Sequence, residues 1–138
     1  MIVQLLPWLY IGDCFSGSDQ AALERLEVKT VVNLHSHNDP ELDGVEQFQF
    51  RLTDGEGNSW RTVQKILDII DEQRKVGNIL VHCCGGMSRS PFIAVSYLAV
   101  KEDVDIDKAL YTVAKKHPYL SIHPRLIDLL IENLTGNA

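Results

Sequence analysis

The stretch NILVHCCGGMSRSPFIAVSYLAV, residues 78–100, decides the fold. It opens with NILVH (78–82), a short apolar run rich in β-branched residues, which is typical of a central strand. It closes with a segment from Ser90 to about Val100 that is apolar nearly all round, which predicts a buried helix. Pro91 suits the first turn of that helix. Between strand and helix lies a turn with two cysteines, two glycines and an arginine.

In the rest of the chain, the spacing of apolar residues alternates between a period typical of strands and one typical of helices. Further strands are predicted at 8–11, 30–35 and 46–52, and further helices at 59–76, 105–116 and 124–134. SGSD (16–19) has the spacing of a capping box and predicts the start of another short helix. This alternation predicts an α/β fold, with a central, mainly parallel sheet of about four to five strands flanked by helices on both faces.

Length and composition predict one domain over residues 1–138. The longest apolar run, PFIAVSYLAV, is about half of what a membrane span needs, and no secretory signal pattern is present. A formal net charge of −6 argues against a broad nucleic-acid surface. Three cysteines cannot form a disulfide framework and suit a reducing compartment. We therefore expect a monomeric cytoplasmic protein that binds neither nucleic acid nor membrane.

The turn between strand and helix is suited to hold an anion. The first N–H groups of a helix lack partners and the helix dipole is positive there, which stabilises a negative charge. Gly85 and Gly86 let the backbone curl so that successive amides point inward as a nest. Arg89 adds a planar, charged fork that matches two oxygens of a phosphate or sulfate. Residues 83–89 are called the anion loop below.

Cys83 lies at the start of the anion loop. The positive field that holds an anion also favours the thiolate, which is the nucleophilic form of cysteine. A nucleophile at the bottom of an oxyanion cradle is the geometry of attack on phosphorus.

The spacing His-Cys-x5-Arg-Ser, between a strand and an apolar helix, resembles the cysteine-dependent protein tyrosine phosphatase family. Four residues carry it: His82, Cys83, Arg89 and Ser90. The early LYIGD (9–13), the loop around Asp54 and the order of helices look most like the small dual-specificity phosphatases. The resemblance covers the chain from about Trp8 to Leu134.

The resemblance implies a role for each residue of the loop. Cys83 would attack phosphorus and form a phosphocysteine intermediate. Ser90 would hydrogen-bond the sulfur as it leaves, and His82 would shape the loop and tune the thiolate. The phosphate oxygens would be held by Arg89 and by the backbone amides before it: Cys84, Gly85, Gly86, Met87 and Ser88. No metal or other cofactor is implied, because the cradle supplies the positive charge.

A general acid is also needed, because the leaving alkoxide or phenoxide must be protonated. The family draws it from a loop that follows a strand well upstream of the nucleophile. Here RLTDGEGNSW (51–60) supplies Asp54 at the end of the predicted strand, and Gly55 and Gly57 suggest a mobile loop. Glu56 is the competing candidate. The other interpretation of Asp54 is an ordinary turn residue.

Other interpretations stay open for Cys84 and Ser90. Cys84 is interpreted first as a small buried hydrophobic residue and second as a redox partner that protects Cys83, a role that Cys14 could also fill. Ser90 could act simply as the N-terminal cap of its helix.

Three polar segments lie outside the loop. HSHND (35–39) has metal-like spacing but no second ligand pair, so we expect a polar loop at the edge of the sheet, within reach of substrate. AKKHP (114–118) is interpreted as a helix C-terminus. SIHPRLID (121–128) departs from the family pattern at His123, and no active-site role is carried onto it.

The resemblance thus implies a protein phosphatase that acts on phosphotyrosine and, by analogy with the small dual-specificity members, on phosphoserine and phosphothreonine. Its partners would be phosphorylated proteins. Relatives in this family that act on phosphoinositides tend to carry basic residues in the loop, and the anion loop contains no lysine, which argues against such substrates. The acidic chain argues against an RNA 5′-triphosphatase, another relative of the family. Two alternatives are a phosphate-binding module without turnover, and a redox or sulfur-transfer protein that uses Cys83 and Cys84.

Overall fold

The structure is a computed structural model, and it describes residues 1–135. Its strands are β1 (Ile2–Leu6), β2 (Leu9–Gly12), β3 (Val28–Asn33), β4 (Glu46–Gln49) and β5 (Asn78–His82). Its helices are α1 (Gln20–Arg25), α2 (Trp60–Gln73), α3 (Arg89–Lys101), α4 (Ile106–Lys116) and α5 (Pro124–Thr135). The predicted α/β class is confirmed.

The strands form one sheet in the order β1-β2-β5-β3-β4. The pairings of β2 with β5, β5 with β3 and β3 with β4 are parallel, and β1 pairs with β2 in the antiparallel sense. The prediction of a mainly parallel sheet is therefore confirmed. β1 was not among the predicted strands. The central position of β5 brings its C-terminal end, and the anion loop that follows, between the ends of β2 and β3.

Some predicted boundaries are wrong. Ser16 does not begin a capping box, because Ser16–Ser18 forms a 3-10 turn. α1 starts after Asp19, whose side chain accepts a hydrogen bond of 3.1 Å from the Ala22 amide. α2 ends at Gln73 rather than continuing to residue 76. β4 ends at Gln49, although the chain stays hydrogen-bonded alongside β3 as far as residue 52.

The sheet separates two hydrophobic cores of unequal size. On one face, α2, α3, α4 and α5 cover the larger core, to which β5 contributes Ile79 and Val81. On the other face, α1 covers a smaller core, to which β5 contributes Leu80. This alternation is what a strand buried on both faces requires. Helices flank both faces, as predicted.

α3 is the central helix of the larger core. Every residue from Ser90 to Ala99 is buried, which confirms the expectation from its apolar sequence. Because its N-terminus is held in the core, the anion loop is attached to rigid elements at both ends. None of the helices among residues 1–135 is long and apolar enough to cross a membrane.

A polar cluster lies at the other end of the sheet. The hydroxyl of Tyr97 on α3 donates to Asp71 at 2.8 Å and accepts from Arg74 at 2.9 Å. The Arg74 guanidinium lies 4.3 Å from the ring centroid of Trp8. Burial raises the pKa of Tyr97 to about 12, and the Asp71 carboxyl acts in the same direction. These contacts join α2, α3 and the turn between β1 and β2.

Candidate active site

The anion loop presents its carbonyl groups to the surrounding elements. The Cys84 carbonyl accepts from the Cys14 amide at 3.3 Å, and the Met87 carbonyl accepts from the Ser121 amide at 2.7 Å. The Gly86 carbonyl lies 3.0 Å from Nε2 of the buried His117, which donates to it. By contrast, the amides of residues 84–88 donate to no protein group within residues 1–135. A row of backbone amides without protein acceptors is what an anion nest requires.

One of the two glycines in the loop is required by its conformation. Gly86 has φ +73°, in the left-handed region, and an added Cβ would lie 3.1 Å from the carbonyl of Gly12. At Gly85 an added Cβ would meet no atom within 4 Å. The curled backbone predicted from the glycine pair therefore rests on Gly86, because only this position excludes a side chain.

The Cys83 thiol lies at the base of the loop and is buried, with 2% of the residue exposed. Its sulfur is 3.4 Å from Oγ of Ser90, which is also buried. Ser90 does not cap α3, since the cap position is taken by Ser88 and Ser90 lies within the first turn. The structure therefore gives Ser90 the contact with sulfur and not the capping position.

The Arg89 side chain is fixed by the backbone that leads into the neighbouring loop. Its Nη1 donates to the carbonyl of Leu52 at 3.1 Å. The Leu52 amide in turn donates to the Leu34 carbonyl, and the Leu34 amide donates to the His82 carbonyl at the start of the anion loop. One arm of the guanidinium fork is thus held by backbone that is connected through these hydrogen bonds to the residue before the anion loop. A bound arm limits the rotation of the fork and leaves its other donors for an anion.

Asp54 lies against the anion loop. Ser88 Oγ donates to Asp54 Oδ1 at 2.5 Å, and Ser88 Oγ also accepts from the His123 amide at 2.9 Å. Glu56, the competing candidate, instead lines a cleft of about 240 Å³ against α5, beside Arg125. The structure thus brings Asp54, and not Glu56, to the anion loop.

The loop that carries Asp54, residues 53–58, is closed by one side chain. The Asn58 amide group accepts from the Thr53 N–H at 2.8 Å and donates to the carbonyls of Thr53 and Gly55 at 2.8 and 3.1 Å. We call residues 53–58 the acid loop. The glycines of this loop suggested that it is mobile. In the structure, Asn58 cross-links the loop, and the Asp54 carboxyl is already hydrogen-bonded to Ser88.

His82 has partners that the sequence did not indicate. Its buried imidazole lies with Nε2 2.7 Å from Oδ2 of Asp39, which belongs to the HSHND segment. Within residues 1–135, Nδ1 of His82 has no hydrogen-bond partner. Gly17 packs directly on the ring, because an added Cβ there would lie 2.3 Å from Nε2. A carboxylate from one loop and a glycine from another therefore fix the residue before Cys83.

Cys84 is exposed, so its interpretation as a small buried hydrophobic residue is wrong. Its carbonyl accepts from the Cys14 thiol at 3.2 Å, in addition to the Cys14 amide. Burial raises the pKa of the Cys14 thiol, and the neighbouring Cys84 thiol raises it further. Cys84 is thus placed next to Cys14, with its side chain directed to the surface.

His35, at the other end of the HSHND segment, follows the C-terminal end of β3. Partial burial lowers the pKa of His35, and the positive groups of His37 and Arg89 lower it further. The two imidazoles stack edge to face with centroids 4.6 Å apart. Among residues 1–135, no group of three or more His, Cys, Asp or Glu side chains is placed to hold a metal ion.

Comparison with protein families gives a match over nearly the whole chain. Residues 9–134 match the model of the dual specificity phosphatase catalytic domain. Dual specificity protein phosphatase 22 of Mus musculus is 33% identical over 112 residues, which cover 80% of this chain and 61% of that protein. Dual specificity protein phosphatase 4 of Gallus gallus is 29% identical over 126 residues, which cover 86% of this chain. The chain spans only 32% of the length of that second relative.

Solved structures share the fold at low sequence identity. Human DUSP28 superposes with a TM-score of 0.90 at 20% identity, covering 99% of this chain and 95% of that one. A human tyrosine phosphatase-like serine/threonine/tyrosine-interacting protein also gives 0.90, at 16% identity, covering 99% and 97% of the two chains. The arrangement of sheet and helices is therefore that of these proteins.

Proposed function

This chain belongs to the dual specificity phosphatase family, and from that membership we propose that it hydrolyses phosphotyrosine, phosphoserine and phosphothreonine in proteins. One observation carries the proposal: the buried Cys83 thiol, the Arg89 fork and the docked Asp54 carboxyl converge on one loop, in which the amides of residues 84–88 have no protein partner within residues 1–135. Such a constellation supplies a nucleophile, an oxyanion cradle and an acid together.

In the first step, the Cys83 thiolate attacks phosphorus, and the bond between phosphorus and the leaving oxygen breaks. Asp54 gives its proton to that oxygen, so the product leaves as a neutral alcohol or phenol. The three remaining phosphoryl oxygens are held by Arg89 and by the amides of the anion loop. Because phosphoryl transfer depends on positioning and on charge stabilisation, this cradle can serve without a metal ion or other cofactor.

In the second step, water attacks the phosphocysteine. The Asp54 carboxylate takes a proton from that water, the phosphorus–sulfur bond breaks, and the sulfur leaves as a thiolate. Ser90 Oγ, 3.4 Å from the sulfur, donates a hydrogen bond to it as negative charge develops there. His82 holds the start of the loop through its contact with Asp39.

The first experiment is hydrolysis of p-nitrophenyl phosphate from pH 4 to 9, with a chelator and a thiol reductant present. We expect activity in the native chain and none in Cys83→Ser, which should still bind vanadate because its cradle is intact. Turnover in Cys83→Ser would overturn the mechanism. A silent native chain would favour a phosphate-binding module, and a trapped persulfide or disulfide in place of phosphocysteine would favour redox or sulfur-transfer chemistry.

A second comparison tests the acid. Asp54→Asn should lose about a hundredfold or more in kcat for poor leaving groups, which need a proton most, and should flatten the alkaline limb of the pH–rate profile. Glu56→Gln is the matched control and should behave as the native chain. If Glu56→Gln shows the loss instead, the acid is Glu56.

We further infer a single catalytic domain over residues 1–138 that acts on phosphorylated proteins as a cytoplasmic monomer. The absence of nucleic-acid and membrane partners is part of the same proposal. It is supported by the net charge of −6 and by three cysteines that are unpaired in residues 1–135. Sedimentation of the purified chain, and its distribution on cell fractionation, test these points.

A further inference from the structure

The Ser88 hydroxyl lies between the start of α5 and the acid loop. It accepts from the His123 amide at 2.9 Å and donates to Asp54 Oδ1 at 2.5 Å. Only 9% of Ser88 is exposed, whereas Asp54 is exposed. The Ser88 end of this pair of hydrogen bonds is therefore shielded from water. The outer end is the Asp54 carboxyl, which has to reach the leaving group.

With Asp54 as a carboxylate, the chemistry of the three groups fixes the direction of each hydrogen bond. A backbone N–H can only donate, so the Ser88 oxygen accepts from His123. The hydroxyl has one proton, and Asp54 Oδ1 is the acceptor within reach. Where the Asp54 carboxyl is neutral and this same hydrogen bond is kept, Oδ1 is the acceptor and the acidic proton lies on Oδ2.

Both ends of this arrangement are held by other contacts. Nδ1 of His123 accepts from the Arg125 amide at 3.1 Å, which fixes the residue at the first turn of α5. The His123 imidazole packs on the acid loop, since an added Cβ at Gly55 would lie 3.8 Å from its Nε2. On the other side, Asn58 closes the acid loop on itself. His123, to which the sequence gave no role, is therefore part of the support for the acid.

We propose that Ser88 is a positioning residue for the general acid, whose hydroxyl holds Asp54 Oδ1 and so directs the protonated Oδ2 to the leaving oxygen. The inference rests on the proposed function and adds a side-chain role to a residue expected only to offer its backbone amide to phosphate. It separates the two tasks of the anion loop, because the amides would bind phosphate while this hydroxyl would act on the acid alone.

The test is a double-mutant cycle with two leaving groups. Ser88→Ala, Asp54→Asn and the double variant are compared on phenyl phosphate, a poor leaving group, and on p-nitrophenyl phosphate, a good one. Ser88→Ala should lower kcat for phenyl phosphate about tenfold, as expected for one well-placed hydrogen bond, and should change p-nitrophenyl phosphate much less. In the Asp54→Asn background it should change neither, because the acid it positions is gone.

Two controls separate positioning from damage to the loop. The inhibition constant for vanadate should stay unchanged in Ser88→Ala, since the amide cradle is intact. Ser88→Thr, which keeps the hydroxyl, should recover most of the rate on phenyl phosphate.

Three results would overturn the inference. They are an equal loss on both leaving groups, a further loss in the Asp54→Asn background, and weaker binding of vanadate by Ser88→Ala. Each would make Ser88 a part of the phosphate cradle while leaving the proposed function in place. If Asp54→Asn itself shows no preference for good leaving groups, the acid assignment in the proposed function fails, and the role of Ser88 fails with it.

Discussion

Replacing Asp39 by alanine should destabilise the protein through His82. The imidazole of His82 is buried, with 1% of its side chain exposed, and Asp39 Oδ2 at 2.7 Å is its one hydrogen-bond partner within residues 1–135. Without that carboxylate, both ring nitrogens are buried without a protein partner. An unsatisfied buried polar group costs about 1–3 kcal/mol.

The surroundings of Asp39 narrow the expected cost of removing its carboxylate. Asp39 also lines an open cleft of about 270 Å³, beside Asn33 and Glu41, so water can enter the space that the carboxylate vacates. The expected loss in the free energy of unfolding is therefore near the middle of the range, about 2 kcal/mol. For a domain of this size that corresponds to a fall of about 6–8 °C in Tm. Asp39→Asn keeps a carbonyl acceptor and should lose about half as much.

The assay is thermal and urea unfolding under reducing conditions, followed by circular dichroism. Glu41→Ala is the matched control, because Glu41 is an exposed carboxylate that lines the same cleft. In a His82→Ala background, Asp39→Ala should cost much less than in the native chain. The reasoning is refuted if Asp39→Ala is as stable as Glu41→Ala, or if its cost is unchanged when His82 is absent.

Three further predictions concern single positions. Gly86→Ala should weaken vanadate binding and cost about 1–2 kcal/mol of stability, because Gly86 has a positive φ and lies near the Gly12 carbonyl. Gly85→Ala should match the native chain, and equal effects at both positions would contradict this reasoning. Ser90→Ala should accumulate phosphoenzyme, seen as a burst of p-nitrophenol in rapid mixing, and an unchanged burst would remove Ser90 from the second step. The raised pKa of Tyr97, about 12, exceeds the usual value near 10, so this group should favour folding below pH 10 and lose that contribution as the pH rises toward 12. Absorbance at 295 nm should show a late tyrosine transition that Tyr97→Phe removes; a transition completed near pH 10 would count against its burial as the cause.

The fold could be predicted from local patterns because each element carries its own period. The apolar run of α3 indicated a buried helix, and the run of β5 indicated a central strand, as the structure has them. β1 was missed because it is an edge strand with only one fully buried residue, Leu5, and its pairing with β2 decides its structure. A pattern that short does not distinguish a strand from a turn.

The sequence by itself determined the contents of the anion loop, since a strand end, a helix start, Cys83 and Arg89 lie within a dozen residues and the chain connectivity places them together. Only the tertiary structure decided what surrounds them. It placed Asp39 on His82 and Asp54 on Ser88, across 43 and 34 positions of sequence, and it turned the Cys84 side chain to the surface. Such contacts depend on how separate loops pack at one edge of the sheet, and no periodicity along the chain records the hydrogen bonds that buried polar groups must then find.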